Sequence, residues 1–209
     1  MGLDMRPIGK PLPGKEERFK EIFNSIIGNN ETTDEALIEE WFNIQTSSYE
    51  TIKAPMVGRD DVANTWIKER YQESDKSVSE SEFIEHYNGF YVIELSPYAD
   101  AVPIYCNPEQ DANVFRGQFL SDCMDILDNE LLNEAWVSKL AEDTLDYGKR
   151  LLNATDAVAL ANNLTHLKDQ IEAPGEDWES LENKLHILYS LSRWLIFYGQ
   201  NGHGYEADF

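Results

Sequence analysis

Apolar residues recur at three- and four-residue steps through most of the second half of the chain, a period that favours helices over strands there. Phe119, Leu120, Cys123, Met124, Leu127 and Leu131 form one stripe. Trp136, Val137, Leu140, Leu145 and Leu151 form a second, and Val158, Ala159, Leu164, Leu167 and Ile171 a third. After a break at Pro174 and Gly175, a fourth runs from Trp178 through Leu185, Leu188, Leu191 and Trp194 to Tyr198. Each stripe is too narrow to be stable alone. Short connections between such helices predict an antiparallel helical bundle at the carboxyl-terminal end.

The first half mixes signals. Three prolines and two glycines in residues 6–14 predict an extended arm over residues 1–14. Phe19, Ile22, Phe23, Ile26 and Ile27 predict a helix over residues 15–27, stopped at Gly28-Asn29-Asn30. A second helix, capped within Thr32-Thr33-Asp34-Glu35, is expected to bury Leu37, Ile38, Trp41, Phe42 and Ile44 along one side. A third starts at Asp60 or Asp61 and carries Val62, Ala63, Trp66 and Ile67. Residues 72–82 read as an exposed linker, followed by a short helical turn over 83–87. Residues 90–95 are β-branched and aromatic, and residues 101–106 supply a partner strand, kept to an edge by Pro103. The expected fold is mainly α with a small β-hairpin or sheet, an α+β chain. Residues 1–209 read as a single domain, with subdomains at 15–87 (helical) and 88–209 (hairpin plus bundle).

Seventeen basic residues against 39 acidic ones give a net charge of −22, so a phosphate backbone would be repelled and direct nucleic-acid binding is not expected. Residues 1–20 are slightly basic, and the acidity is spread over the rest of the chain. A basic protein would be steered toward such a body. No stretch approaches a membrane span, and the start lacks a charged segment followed by an apolar one, so a cytoplasmic, soluble protein is expected. Cys106 and Cys123 stand at neither zinc-ligand nor redox spacing. The spacing of Cys123 within its stripe points it inward, as a structural thiol.

Nothing in the sequence names a reaction. Phosphate-binding, nucleophile-elbow and calcium-loop patterns are missing, and the Glu82/His86 and Glu182/His186 pairs read as helix-surface contacts, so neither a metal nor a cofactor is expected. The leading functional expectation is an acidic interaction protein that docks a basic protein partner without catalysis. The alternative is a small-ligand-binding protein or enzyme with a pocket between the hairpin and the carboxyl-terminal helices, using Arg116, Asp122, His203 and Tyr205. Arg116 also reads as a tie between the hairpin and the bundle. Glycines at 199, 202 and 204 allow the terminal segment to approach another backbone closely. Five tryptophans suffice for a homo-oligomeric interface as well as a core.

The opening Met1-Gly2-Leu3-Asp4-Met5 resembles the start of small uncharacterised proteins of bacteria and their phages. The resemblance implies a soluble intracellular chain of prokaryotic or phage source and carries no site residues.

Overall fold

The computed structural model describes residues 2–26, 34–96 and 113–209. The α+β expectation holds: helices dominate, two small antiparallel sheets accompany them, and the last two helices pack together. The elements are β1 (Asp4–Pro7), β2 (Lys10–Pro11), α1 (Glu16–Ile26), α2 (Glu35–Asn43), β3 (Gln45–Thr46), α3 (Ser48–Thr51), α4 (Asp61–Glu73) and α5 (Glu80–His86). They continue with β4 (Phe115–Arg116), α6 (Asn129–Asn133), α7 (Ala141–Ala161), α8 (Leu181–Gln200) and β5 (Tyr205–Asp208).

Helices α7 and α8 form the central seam. Gly199 lies against Leu145, Gly148 against Leu195, and the Tyr189 hydroxyl donates to Asp156 at 3.0 Å, so the two helices run antiparallel. A Cβ at position 199 would stand 2.7 Å from the backbone nitrogen of Leu145. The seam is therefore set by a glycine that lets one backbone approach the other. The third and fourth stripes fall on this pair, and the second and third do not form separate helices: α7 runs unbroken to Ala161, followed by a 3-10 turn over Thr165–Asp169. The first stripe is also shorter in helix than its period suggests. It folds as a 3-10 segment, Gly117–Cys123, and the short α6, which begins where the Asp128 carboxylate accepts from Glu130 N at 2.9 Å.

The main sheet has the order β4-β1-β5, all antiparallel, with Asp4 opposite both Arg116 and Asp208, and Pro7 opposite Tyr205. Alternation along these strands sorts the side chains. Met5, Phe115 and Tyr205 are fully buried and join Leu188, Leu191, Trp194 and Tyr198 of α8 in the main core. Asp4, Arg6, Arg116, Glu206 and Asp208 alternate with them, on the opposite face. The extended arm is thus real, and its strand is the middle of the sheet.

Residues 90–95, read as a strand, contribute one bridge, Tyr91 opposite Met56, and then turn into a 3-10 segment at Ile93–Leu95. Val92 is pulled inward against Val57, Ala63 and Ile67, which overrides the strand propensity of its neighbours. Residues 101–106, the expected partner strand, lie outside the described residues, as do the expected helix stop at 28–30 and the two threonines before Asp34. The cap of α2 comes from the Asp34 carboxylate, which accepts from Ala36 N at 3.0 Å. Asp60 stands at the start of α4, but its carboxylate turns back to accept from Met56 N at 2.8 Å. The linker read over 72–82 is shorter, because α4 runs to Glu73 and a Ser79/Glu82 capping box starts α5.

Candidate functional site

The four residues expected to share a pocket are each held by different partners. Arg116 pairs with Asp4 and ties β4 to β1. Asp122 is exposed on the 3-10 segment after β4, with Ser121 Oγ at 3.5 Å. The Tyr205 hydroxyl is buried and donates to Glu134 O at 3.1 Å. Burial, with the nearby Tyr147 and Glu134, pushes its pKa far up. His203 is fully buried: Nδ1 lies 2.9 Å from Ile8 O and Nε2 lies 2.6 Å from Thr51 Oγ1. A carbonyl only accepts, so Nδ1 carries the proton and Nε2 accepts from the threonine hydroxyl. Desolvation lowers the imidazole pKa to about 4. His203 is therefore a neutral rivet joining the arm, α3 and the terminal segment. The tail's close approach is to the protein itself, since a Cβ on Gly204 would meet Lys139 O at 2.1 Å.

A cavity of about 500 Å³ opens on the other side of that rivet. Its lining comes from the arm (Arg6, Pro7, Ile8, Gly9), the end of α2 (Trp41, Phe42), residues 45 and 47–49, Tyr91 and Glu206. None of Arg116, Asp122, His203 and Tyr205 lines this cavity, which lies between the arm, α2 and α3. Trp41 is anchored from behind by Phe19, ring centroids 4.1 Å apart and stacked. Phe42 follows it along the helix and is 68% exposed, because adjacent helical positions cannot both face one core.

Tyr49 and Tyr91 stand with ring centroids 5.3 Å apart. The Tyr91 hydroxyl donates to Glu50 Oε1 at 2.6 Å, and Glu50 also pairs with Arg59, which holds Asp60 at 2.8 Å. The hydrogen bond from Tyr91, then the Arg59 charge, keeps the Glu50 carboxyl below its ordinary pKa. Burial first, then Glu50, raises that of the Tyr91 phenol. On the sheet side, Arg6 is shared between Asp4 at 3.1 Å and Asp208 at 3.3 Å. Glu206 reaches solvent, yet desolvation and then Asp208 raise its pKa, with Arg6 opposing. The sequence reading missed these aromatic and carboxylate groups. Two signals were there: the adjacent Trp41-Phe42 pair, and an acid set between Tyr205 and Ala207 in an alternating strand.

A second feature lies near the start of α8. Trp178 is 50% exposed and stacks on Phe119, centroids 6.4 Å apart, and Met124 is 43% exposed nearby in sequence. Asp122, Asp125, Asp128, Asp177 and Glu179 are exposed on the same two segments. Lys184 bridges the segments, with Nζ at 2.7 Å from Asp125 Oδ2 and its carbonyl at 3.6 Å from the Cys123 thiol. Cys123 is a free, buried thiol whose pKa is pushed up to about 12 by desolvation and then by Asp122, which matches the structural role expected of it.

His186, read from its spacing to Glu182 as a helix-surface contact, is instead fully buried, with Nε2 at 3.2 Å from both Gln170 O and Ile171 O. Among the described residues no group of three or more His, Cys, Asp or Glu side chains is placed to hold a metal ion. No helix among them is long and apolar enough to cross a membrane. Against known proteins, no family model matches the chain, and no curated protein or solved structure shows significant similarity to it.

Proposed function

We propose that the protein is an acidic interaction protein that docks a basic protein partner, with the Trp178 face as its contact surface. The observation that carries this reading is the exposed Trp178, stacked on Phe119, on two segments that also expose Met124 and the carboxylates of Asp122, Asp125, Asp128, Asp177 and Glu179. Of the cations on these two segments, Lys184 is held by Asp125. Buried aromatic anchors supply most of the affinity at protein interfaces, and surrounding charge supplies encounter rate and selectivity. A cationic surface with an apolar hollow for the indole is the complement of this face.

Tagged protein used to capture partners from cell lysate at low and at moderate salt tests the reading. A basic protein should be retained by the wild type, released by salt, and lost with both Trp178→Ala and the Asp122→Lys/Glu179→Lys double variant. Capture that ignores salt and all three substitutions, or no capture at all, would overturn it. A patch this exposed tolerates truncation, so the variants remain folded.

A further inference from the structure

The cavity shares no lining residue with the Trp178 face. We infer that it is a site for an organic cation, an alkylammonium or guanidinium group, received between aromatic faces and the Glu206 carboxylate. Its volume falls within the range of small-molecule sites, about 300–1,000 Å³. Trp41, Phe42, Tyr49 and Tyr91 are four of its lining residues, and aromatic faces attract cations through the ring quadrupole. The Tyr91 hydroxyl donates to the Glu50 carboxylate, and its ring already holds one cation, the Arg59 guanidinium 5.7 Å from the centroid. Phe42 stands at the rim with two thirds of its surface in solvent, where an occupant would cover it.

The charges decide the sign of the ligand. Arg6 is the cation in the lining, and two carboxylates, Asp4 and Asp208, already hold it. Glu206 is the anion in the lining, and among the described residues nothing hydrogen-bonds or ion-pairs with it. An anionic ligand would meet Glu206 without a free counter-charge. An uncharged apolar ligand would bury Glu206 further, with Arg6, already shared by two other carboxylates, as its neighbouring counter-charge. A cation satisfies both the carboxylate and the ring faces.

The chemistry has two natural sources, a free small molecule or a basic side chain of a docked protein, and calorimetry on the 209-residue chain separates them. Choline and agmatine are the probes, and 3,3-dimethylbutanol, the neutral isostere of choline, is the control. At least one of the two cations should bind saturably, with the isostere weaker by about tenfold, the scale of a desolvated cation–aromatic contact. Glu206→Gln should weaken the cation by a similar factor, and Phe42→Ala by several-fold. Trp178→Ala should leave cation binding unchanged, so failure of the docking reading and failure of this one are told apart. Displacement of the bound cation by an arginine- or lysine-containing peptide assigns the site to a protein side chain, and no displacement assigns it to a free small molecule. Equal binding of the isostere, preference for benzoate, or saturation by neither cation would overturn the inference.

Discussion

The seam between α7 and α8 and the wall of the cavity use similar residues to opposite ends. Beside the seam, Leu188, Leu191, Trp194 and Tyr198 are fully buried in the core that α8 shares with the sheet, and in the seam itself a glycine brings the backbones together. At the cavity, Trp41 is buried but Tyr49 and Tyr91 are only half-buried, and Phe42 is left largely in water. Close packing is the default of a protein interior. A group of aromatics that stops short of closing is therefore the feature that asks for an occupant, whereas the seam asks for nothing beyond itself.

His203 joins the two regions and offers the largest test of the contrast. Its imidazole pKa is about 4 in the folded protein against 6.5 ordinarily, so the unfolded chain takes up a proton that the folded protein refuses. Stability from this group is complete above about pH 6.5 and is lost as pH falls toward about 4, a loss on the order of 3 kcal/mol. Urea denaturation across that interval should show a steeper decline for the wild type than for His203→Gln. Equal slopes would mean that the rivet is not held neutral.

Next in size is Gly199→Ala, which places a methyl against the α7 backbone. It should cost about 2–3 kcal/mol in thermal or chemical unfolding, the upper part of the range for overpacking. A near-neutral result would show that the seam has slack and would weaken the contrast with the cavity. Tyr205→Phe removes one buried hydrogen bond to Glu134 O, a carbonyl that also accepts from Val137 N. About 1 kcal/mol of stability should go with it. The smallest change is expected at the cavity rim: Phe42→Ala should alter stability by less than about 0.5 kcal/mol, as exposed positions do, while weakening the cation. If it unfolded the protein instead, the rim would be part of the core.

Much of the helical framework was readable from the sequence because its signal is local. The stripes of α1 and α8 and the inward Cys123 follow from spacing alone, and Phe19, Ile22, Leu185, Leu188 and Cys123 are indeed buried. The sheet was not readable, because β1 is four residues long, ends in a proline and finds its partners near residues 116 and 206. Strand propensity pointed to residues 90–95, where Val92 was claimed by a hydrophobic cluster with α4. The cavity escaped for a related reason. Its lining is drawn from five separated stretches, so no window of sequence contains it. His203 and Tyr205, read in the sequence as site residues, do not line the cavity; one fixes Ile8 and the other precedes Glu206.

The central strand of the main sheet is synthesised well before one of its two neighbours. Residues 4–7 leave the ribosome nearly two hundred residues ahead of residues 205–208, and until then one edge of β1 has no neighbour. Closing so long a loop carries an entropy that grows only slowly with length but is met before any contact repays it. Pairing of residues 205–208 with β1 is therefore a long-range closure, and the contacts of His203 with Ile8 and Thr51 belong to it.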